Sequence, residues 1–208
     1  MKRLVSWIAG RAGFELTRVD GDDLAHRFGE IPGMVSPQAG VTLYLLALAA
    51  GRDGDIVEIG SWLGRSTAFL AQACEDADNG VVHAVDWFQG NPRRPTGAQA
   101  EGRDIEAEFR ANIERVGLSH RVVVHAQTSS EALADIDGPL RMLFVDGEHT
   151  YGAVTNDLAY AELLIPGGMI AIDDCSRPEV DRAVQELLSR GGYSTPFRQR
   201  GLLVARRR

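Results

Sequence analysis

Apolar residues along this chain fall into short runs with the two-residue alternation of strands, and between the runs they recur every three to four positions, as in helices. The clearest run, Asp55-Ile56-Val57-Glu58-Ile59, ends at Gly60. After Gly64 the residues Ser66-Thr67-Ala68-Phe69-Leu70 open a helical spacing. A strand, turn and helix of this kind gathers unpaired N–H groups and partial positive charge around a crevice, which suits a polar or anionic nucleotide-like ligand. Residues 81–86, 121–126, 140–146 and 167–174 read as four more strands. Between them, helical spacing is carried by Ile105, Phe109, Ile113 and Val116, by a helix opening at the polar cluster 127–131, and by residues 150–164. Ser36 and Pro37 start a helix ahead of the first strand, and Pro178 starts one after the fifth.

Five alternations of strand and helix predict an α/β fold with a doubly wound, mostly parallel sheet. Residues 194–200 and 201–206 add two short strands joined tightly at Arg200-Gly201. One of that pair must run antiparallel, giving a seven-stranded sheet with a C-terminal hairpin.

The 208 residues, 44% of them hydrophobic, fit one domain over residues 1–208. Residues 1–32 read as an N-terminal cap. Residues 88–104, rich in Gly, Pro, Gln and Arg and without a period, read as a lid loop over an acceptor, with Arg93 and Arg94 either meeting a polar or anionic group or simply solvated. A net charge of −7 argues against nucleic acid as a partner, and Arg206-Arg207-Arg208 reads as a solvated tail. Cys74 and Cys175 are far apart, lack metal-ligand spacing and are expected as buried thiols. The opening apolar run is too short for a signal-peptide core, and no stretch approaches the ~20 apolar residues of a membrane span, so a cytoplasmic protein with no membrane partner is expected.

Candidate chemistry gathers at the carboxyl ends of the strands, where open α/β sheets bind ligands. The first turn lacks the G-x-G-x-x-G spacing of dinucleotide enzymes, and Glu58, two residues before Gly60, would repel a pyrophosphate while holding an ammonium or a water. Asp86 ends the second strand where an acid commonly accepts from ribose hydroxyls, a role shared by NAD-type and adenosylmethionine-type sites. Asp146 ends the fourth strand, and Asp173 and Asp174 end the fifth. Crowded carboxylates either raise a pKa or share a cation, and an oxygen-only set suits Mg²⁺, although Asp173 and Asp174 capping the next helix is the structural alternative. His149, three residues after Asp146, sits on the same rim as a candidate general base, or else bonds locally at a helix start. His125, inside a strand, reads as structural.

Val57 to Thr67, VEIGSWLGRST, resembles the first motif of class I S-adenosylmethionine-dependent methyltransferases. The run Asp146-Gly147-Glu148-His149-Thr150-Tyr151, then Asp157-Leu158, Leu164-Ile165-Pro166-Gly167-Gly168 and the acid pair, resembles the small metal-dependent O-methyltransferases that act on macrolide sugars and other saccharides, mycobacterial methylmannose chains among them. The likeness spans residues 33–205 and implies a Rossmann-like class I methyltransferase fold. It implies that Gly60, Ser61, Gly64 and Ser66 of the first turn, together with Glu58, hold S-adenosylmethionine. Asp86 and Trp87 would meet its ribose side and Gln127 and Thr128 its adenine. Val35, with Met34 and Ser36, would lie near its methionine end, and Asp146 would border both cofactor and metal. Asp146, Asp173 and Asp174 would bind Mg²⁺ and His149 would act as base. Some relatives carry Glu where this chain has Asp173. Catechol-type relatives use a lysine base, and Lys2 is this chain's only lysine, which favours His149. The expected activity is therefore O-methylation of a sugar or oligosaccharide, with a vicinal pair of oxygens chelated by the metal. A catechol or phenol O-methyltransferase is the first alternative. An NAD-linked oxidoreductase or a non-catalytic cofactor-binding module is the second. A homodimer paired through N-terminal elements is expected.

Overall fold

A computed structural model describes residues 21–91, 95–199 and 201–208. The first twenty residues of the expected cap, together with Arg93, Arg94 and Arg200, lie outside the described residues.

Among the described residues, α1 (Gly21–Gly29) and α2 (Pro37–Ala49) precede β1 (Asp55–Ile59). Ser36 starts α2 as the spacing requires: its hydroxyl accepts from the Ala39 N–H at 3.2 Å, and Pro37 fills the first helical position. After β1 come α3 (Arg65–Ala77), β2 (Val82–Asp86), α4 (Pro95–Ala100), α5 (Ile105–Arg115) and β3 (Val122–Ala126). Then follow α6 (Ser129–Ala132), β4 (Leu140–Val145), α7 (Tyr151–Asp157), β5 (Leu164–Ile172), α8 (Pro178–Ser189), β6 (Phe197–Gln199) and β7 (Leu202–Arg206). The sheet order is β3-β2-β1-β4-β5-β7-β6. Pairs among β1 to β5 are parallel, whereas β7 runs antiparallel to both β5 and β6, as a tight terminal hairpin demands. This is the expected doubly wound sheet, and it is the class I methyltransferase arrangement.

Strand alternation splits the core into two layers. Ile56, Met142 and Phe144 face α2, α3 and α5, while Val57, Leu143, Val145 and Ile172 face α7 and α8. Because both faces are covered, β4 is buried along its whole length and is apolar at every position but Arg141. At the amino ends of the strands the fully buried Arg141 donates to the carbonyls of Arg52 (3.0 Å) and Asn79 (3.1 Å) and to the Cys74 sulfur (3.0 Å). Both cysteines are free and buried.

Three segments differ from the sequence expectation. Residues 150–164 form α7 and then a 3₁₀ turn, Leu158–Leu163, rather than one helix. β5 begins at Leu164, and its register with β4 shifts between Leu140 and Met142, an irregularity that absorbs Pro166 without a ladder bond. The expected lid loop carries a helix: α4 begins at Pro95, and Phe88 at the root of the segment is buried with its ring 5.4 Å from that of Phe109.

Candidate active site

The carboxyl ends of β1, β2, β4 and β5 open onto a cavity of about 870 Å³. One wall is the first turn with Gly60, Ser61 and Ser66, and beside it lie Gly33, Met34 and Val35. Asp86 and Trp87 follow β2, Gln127 and Thr128 follow β3, and Asp146, His149, Asp173 and Asp174 close the rim. Strands far apart in sequence thus bring most of the candidate residues to one place.

Among the described candidates the exceptions are Ser36, which caps α2 outside the cavity lining, Glu58 and Gly64. In β1 the period of two puts Glu58 on the face of Ile56, toward α3, so it lies beneath the turn and is not among the cavity-lining residues. Its carboxylate is fully buried and accepts from the Thr67 hydroxyl. Burial pushes its carboxyl up to about 7, with Asp146 adding in the same direction and the Ser66 and Thr67 hydroxyls opposing. Gly64 caps α3 in a left-handed conformation and packs toward Phe109 and Ile113 rather than onto the cavity. Spacing alone could not separate glycines that shape the turn from those that face a ligand.

Gly60 binds two strand ends together. Its φ is +92°, and a Cβ there would lie 2.3 Å from the Asp146 carbonyl oxygen, next to the bond from the Asp146 N–H to the Ile59 carbonyl at 2.8 Å. Asp86 fixes the other side of the turn. One carboxylate oxygen accepts from the Trp62 N–H and the other from the Phe88 N–H, both at 2.8 Å. Burial raises the Asp86 carboxyl, and those backbone donors hold it back.

On the rim, His149 lies between two acids. Nε2 is 3.5 Å from Asp146 Oδ1 and Nδ1 is 3.5 Å from Asp174 Oδ2. Asp174, with φ +54°, also pairs with the Nε of Arg177 at the start of α8. Burial, reinforced by Asp173 and Asp174, pushes the Asp146 carboxyl up to about 6, against the pull of His149. Asp157 on α7, named in the sequence only as part of a motif, also lines the cavity. It is almost fully buried, and burial pushes its carboxyl up to about 6 while the Ser129 hydroxyl pulls it back.

The donor chemistry of Asp146, Asp173 and Asp174 fits a hard divalent ion, since all three present carboxylate oxygens to one rim. Their placement is not a closed cage. Among the described residues no three His, Cys, Asp or Glu side chains converge as a metal site, and Arg177 pairs with Asp174. His125 stands away from the cavity, its Nε2 3.0 Å from His83 Nδ1, whose other nitrogen is 3.4 Å from Asp55.

Sequence reasoning missed Arg65 and Ser129 on the cavity wall. Arg65 lay in plain view inside GRST, but what it binds is a distant connector that no spacing reveals.

Comparison with known proteins agrees with this geometry. Residues 57–175 match a family described as a methyltransferase domain. A curated Streptomyces olivaceus protein, 8-demethyl-8-(2,3-dimethoxy-alpha-L-rhamnosyl)-tetracenomycin-C 4'-O-methyltransferase, is 29% identical over 167 residues, covering 72% of this chain. The chain spans 64% of that relative's length. Among solved structures, the O-methyltransferase NovP superposes with a TM-score of 0.73 at 18% identity, over 99% of this chain and 97% of its own. An O-methyltransferase from Bacillus cereus, solved with SAH, gives 0.64 at 21% identity over the whole of both chains. At such identities the structural likeness speaks for the fold. Among the described residues no helix is long and apolar enough to cross a membrane.

Proposed function

We propose, from the premise that this chain belongs to the methyltransferase-domain family matched by its residues 57–175, that it transfers the methyl group of S-adenosylmethionine to a hydroxyl of a sugar or oligosaccharide. The observation that carries this reading is the placement of His149 between Asp146 and Asp174, on the rim of the cavity that Asp86 and the first turn also line.

Each residue then has a task. Asp86, held by two backbone donors, turns its remaining lone pairs to the ribose hydroxyls. Ser61 and Gly60 border the donor, with Trp87, Gln127 and Thr128 around its base. The reaction is an in-line displacement: the acceptor oxygen forms a bond to the methyl carbon as the carbon–sulfur bond breaks, and sulfur keeps the electron pair as a thioether. The protein's share is positioning and charge placement. His149 takes the hydroxyl proton at Nδ1, because Asp174 already has Arg177 as a partner, and Asp146 beside Nε2 stabilises the imidazolium that results. Magnesium held by Asp146, Asp173 and Asp174 would supply Lewis-acid polarisation of the acceptor oxygens.

A sugar is favoured over a flat phenol by the polar acceptor side, where Asn91 and Thr96 line the cavity, and by the rhamnosyl group in the name of the curated relative. A catechol-type reading would want a lysine base, and the sequence has only Lys2. Incubation with adenosylmethionine, Mg²⁺ and a panel of saccharides and catechols tests the proposal: adenosylhomocysteine should form with saccharides bearing vicinal hydroxyls. Hydride exchange with a nicotinamide cofactor in its place would contradict it.

A further inference from the structure

Arg65 opens α3, where the helix dipole disfavours a cation, and burial pushes its guanidinium pKa down. Among the described residues no carboxylate pairs with it. Instead its guanidinium collects carbonyl oxygens from the last residue of α1 and from the connector that follows it. Nε donates to Ile31 (2.5 Å), Nη1 to Gly33 (2.9 Å) and Val35 (2.8 Å), and Nη2 to Gly29 (3.2 Å). Every second residue from 29 to 35 is thus tied to one side chain. Packing makes the same point independently: a Cβ on Gly33 would lie 2.9 Å from the Arg65 Cβ, so only glycine lets the connector lie this close. The connector has no regular secondary structure of its own, yet Gly33, Met34 and Val35 line the cavity beside Ser61 and Ser66.

We propose that Arg65 is a positioning residue for the cofactor: its planar fork holds the 29–35 connector against the first turn and so builds one wall of the donor pocket. This rests on the reading that adenosylmethionine occupies the cavity. The cost of seating a cation at a helix start is offset by four charge-assisted bonds, and the return is a fixed wall where the backbone alone supplies none. Lysine cannot replace it, since an ammonium is a point donor without the fork that reaches carbonyls on separate residues.

Calorimetric titration of adenosylhomocysteine into the wild-type protein and into Arg65→Ala, Arg65→Lys and Gly33→Ala tests this, alongside melting curves. Each variant should bind at least about tenfold more weakly. At saturating cofactor, kcat of Arg65→Ala should stay within about twofold of wild type, because the clamp acts on binding. Millimolar guanidinium should restore part of the affinity of Arg65→Ala and leave wild type unchanged. Wild-type affinity in Arg65→Ala or Arg65→Lys overturns the inference, as does a loss that follows the melting temperature and resists guanidinium. A wild-type protein that binds no adenosylhomocysteine overturns the functional reading instead. Amide exchange across residues 29–35 then judges the clamp alone: unchanged protection in Arg65→Ala sinks it.

Discussion

Nδ1 of His149 lies 3.5 Å from Oδ2 of Asp174, and that same oxygen is bound by Arg177. The imidazole is therefore steered by two carboxylates, Asp146 and Asp174, and Asp174 is also paired with Arg177. A histidine so placed stands on the cavity rim with a carboxylate on each side of its ring. His149→Ala should lower kcat by about 10²- to 10⁴-fold, the range for a lost general base, while adenosylhomocysteine binds within about twofold of wild type. Loss of cofactor affinity with normal turnover at saturation would make this histidine a structural one.

The acids of the rim make a second prediction. Asp173→Asn combined with Asp174→Asn should abolish both activity and calorimetric magnesium binding. Arg177→Ala removes the cation that occupies Asp174 and should tighten magnesium binding by severalfold. Full activity in excess chelator would remove the metal from the account.

Glu58 gives a stability prediction with a definite sign. Its carboxyl is raised from 4.5 to about 7 in the folded chain, chiefly by burial. Between those values the folded state holds the proton more tightly than the unfolded state, so the contribution of Glu58 to stability falls as pH rises through the window. Glu58→Gln cannot titrate. In denaturant melts of the ligand-free protein, wild type should lose up to about 3 kcal/mol relative to this variant between pH 4.5 and 8. Parallel pH profiles would show that the carboxylate is as well satisfied folded as unfolded.

Gly60 is where sequence and site geometry meet most tightly. Gly60→Ala drives a Cβ into the Asp146 carbonyl at a φ of +92°, so β1 and β4 must separate at their carboxyl ends. The variant should lose about 2 kcal/mol or more in thermal or denaturant melts and bind adenosylhomocysteine far more weakly. Gly64→Ala should cost stability with a smaller effect on affinity, since that residue faces Phe109 and Ile113.

Much of this molecule can be read from its apolar periodicity. The five parallel strands, the reversed β7 and the Ser36 and Thr128 caps follow from local rules about alternation, turns and side-chain acceptors. Asp86, Asp146, Asp173 and Asp174 were legible because each ends a strand, and parallel strands place their carboxyl ends on one edge. Glu58 was misplaced toward the ligand because a carboxylate near a glycine turn says nothing of its face until the strand is set among its neighbours. Residues 95–100 hid a helix behind loop-like composition. The Arg65 clamp was illegible for a deeper reason: its partners are backbone carbonyls, which every residue carries.

The proposed reaction is methyl transfer from a sulfonium donor to a sugar oxygen in the cavity below the rim. Incubation with adenosylmethionine carrying an isotopically labelled methyl group, Mg²⁺ and vicinal-diol saccharides, followed by mass spectrometry of both products, tests it most directly. The prediction is one labelled O-methyl group on the saccharide for each adenosylhomocysteine formed, with neither product from His149→Ala. Label on a catechol but on no saccharide, or no adenosylhomocysteine with any acceptor, would contradict it.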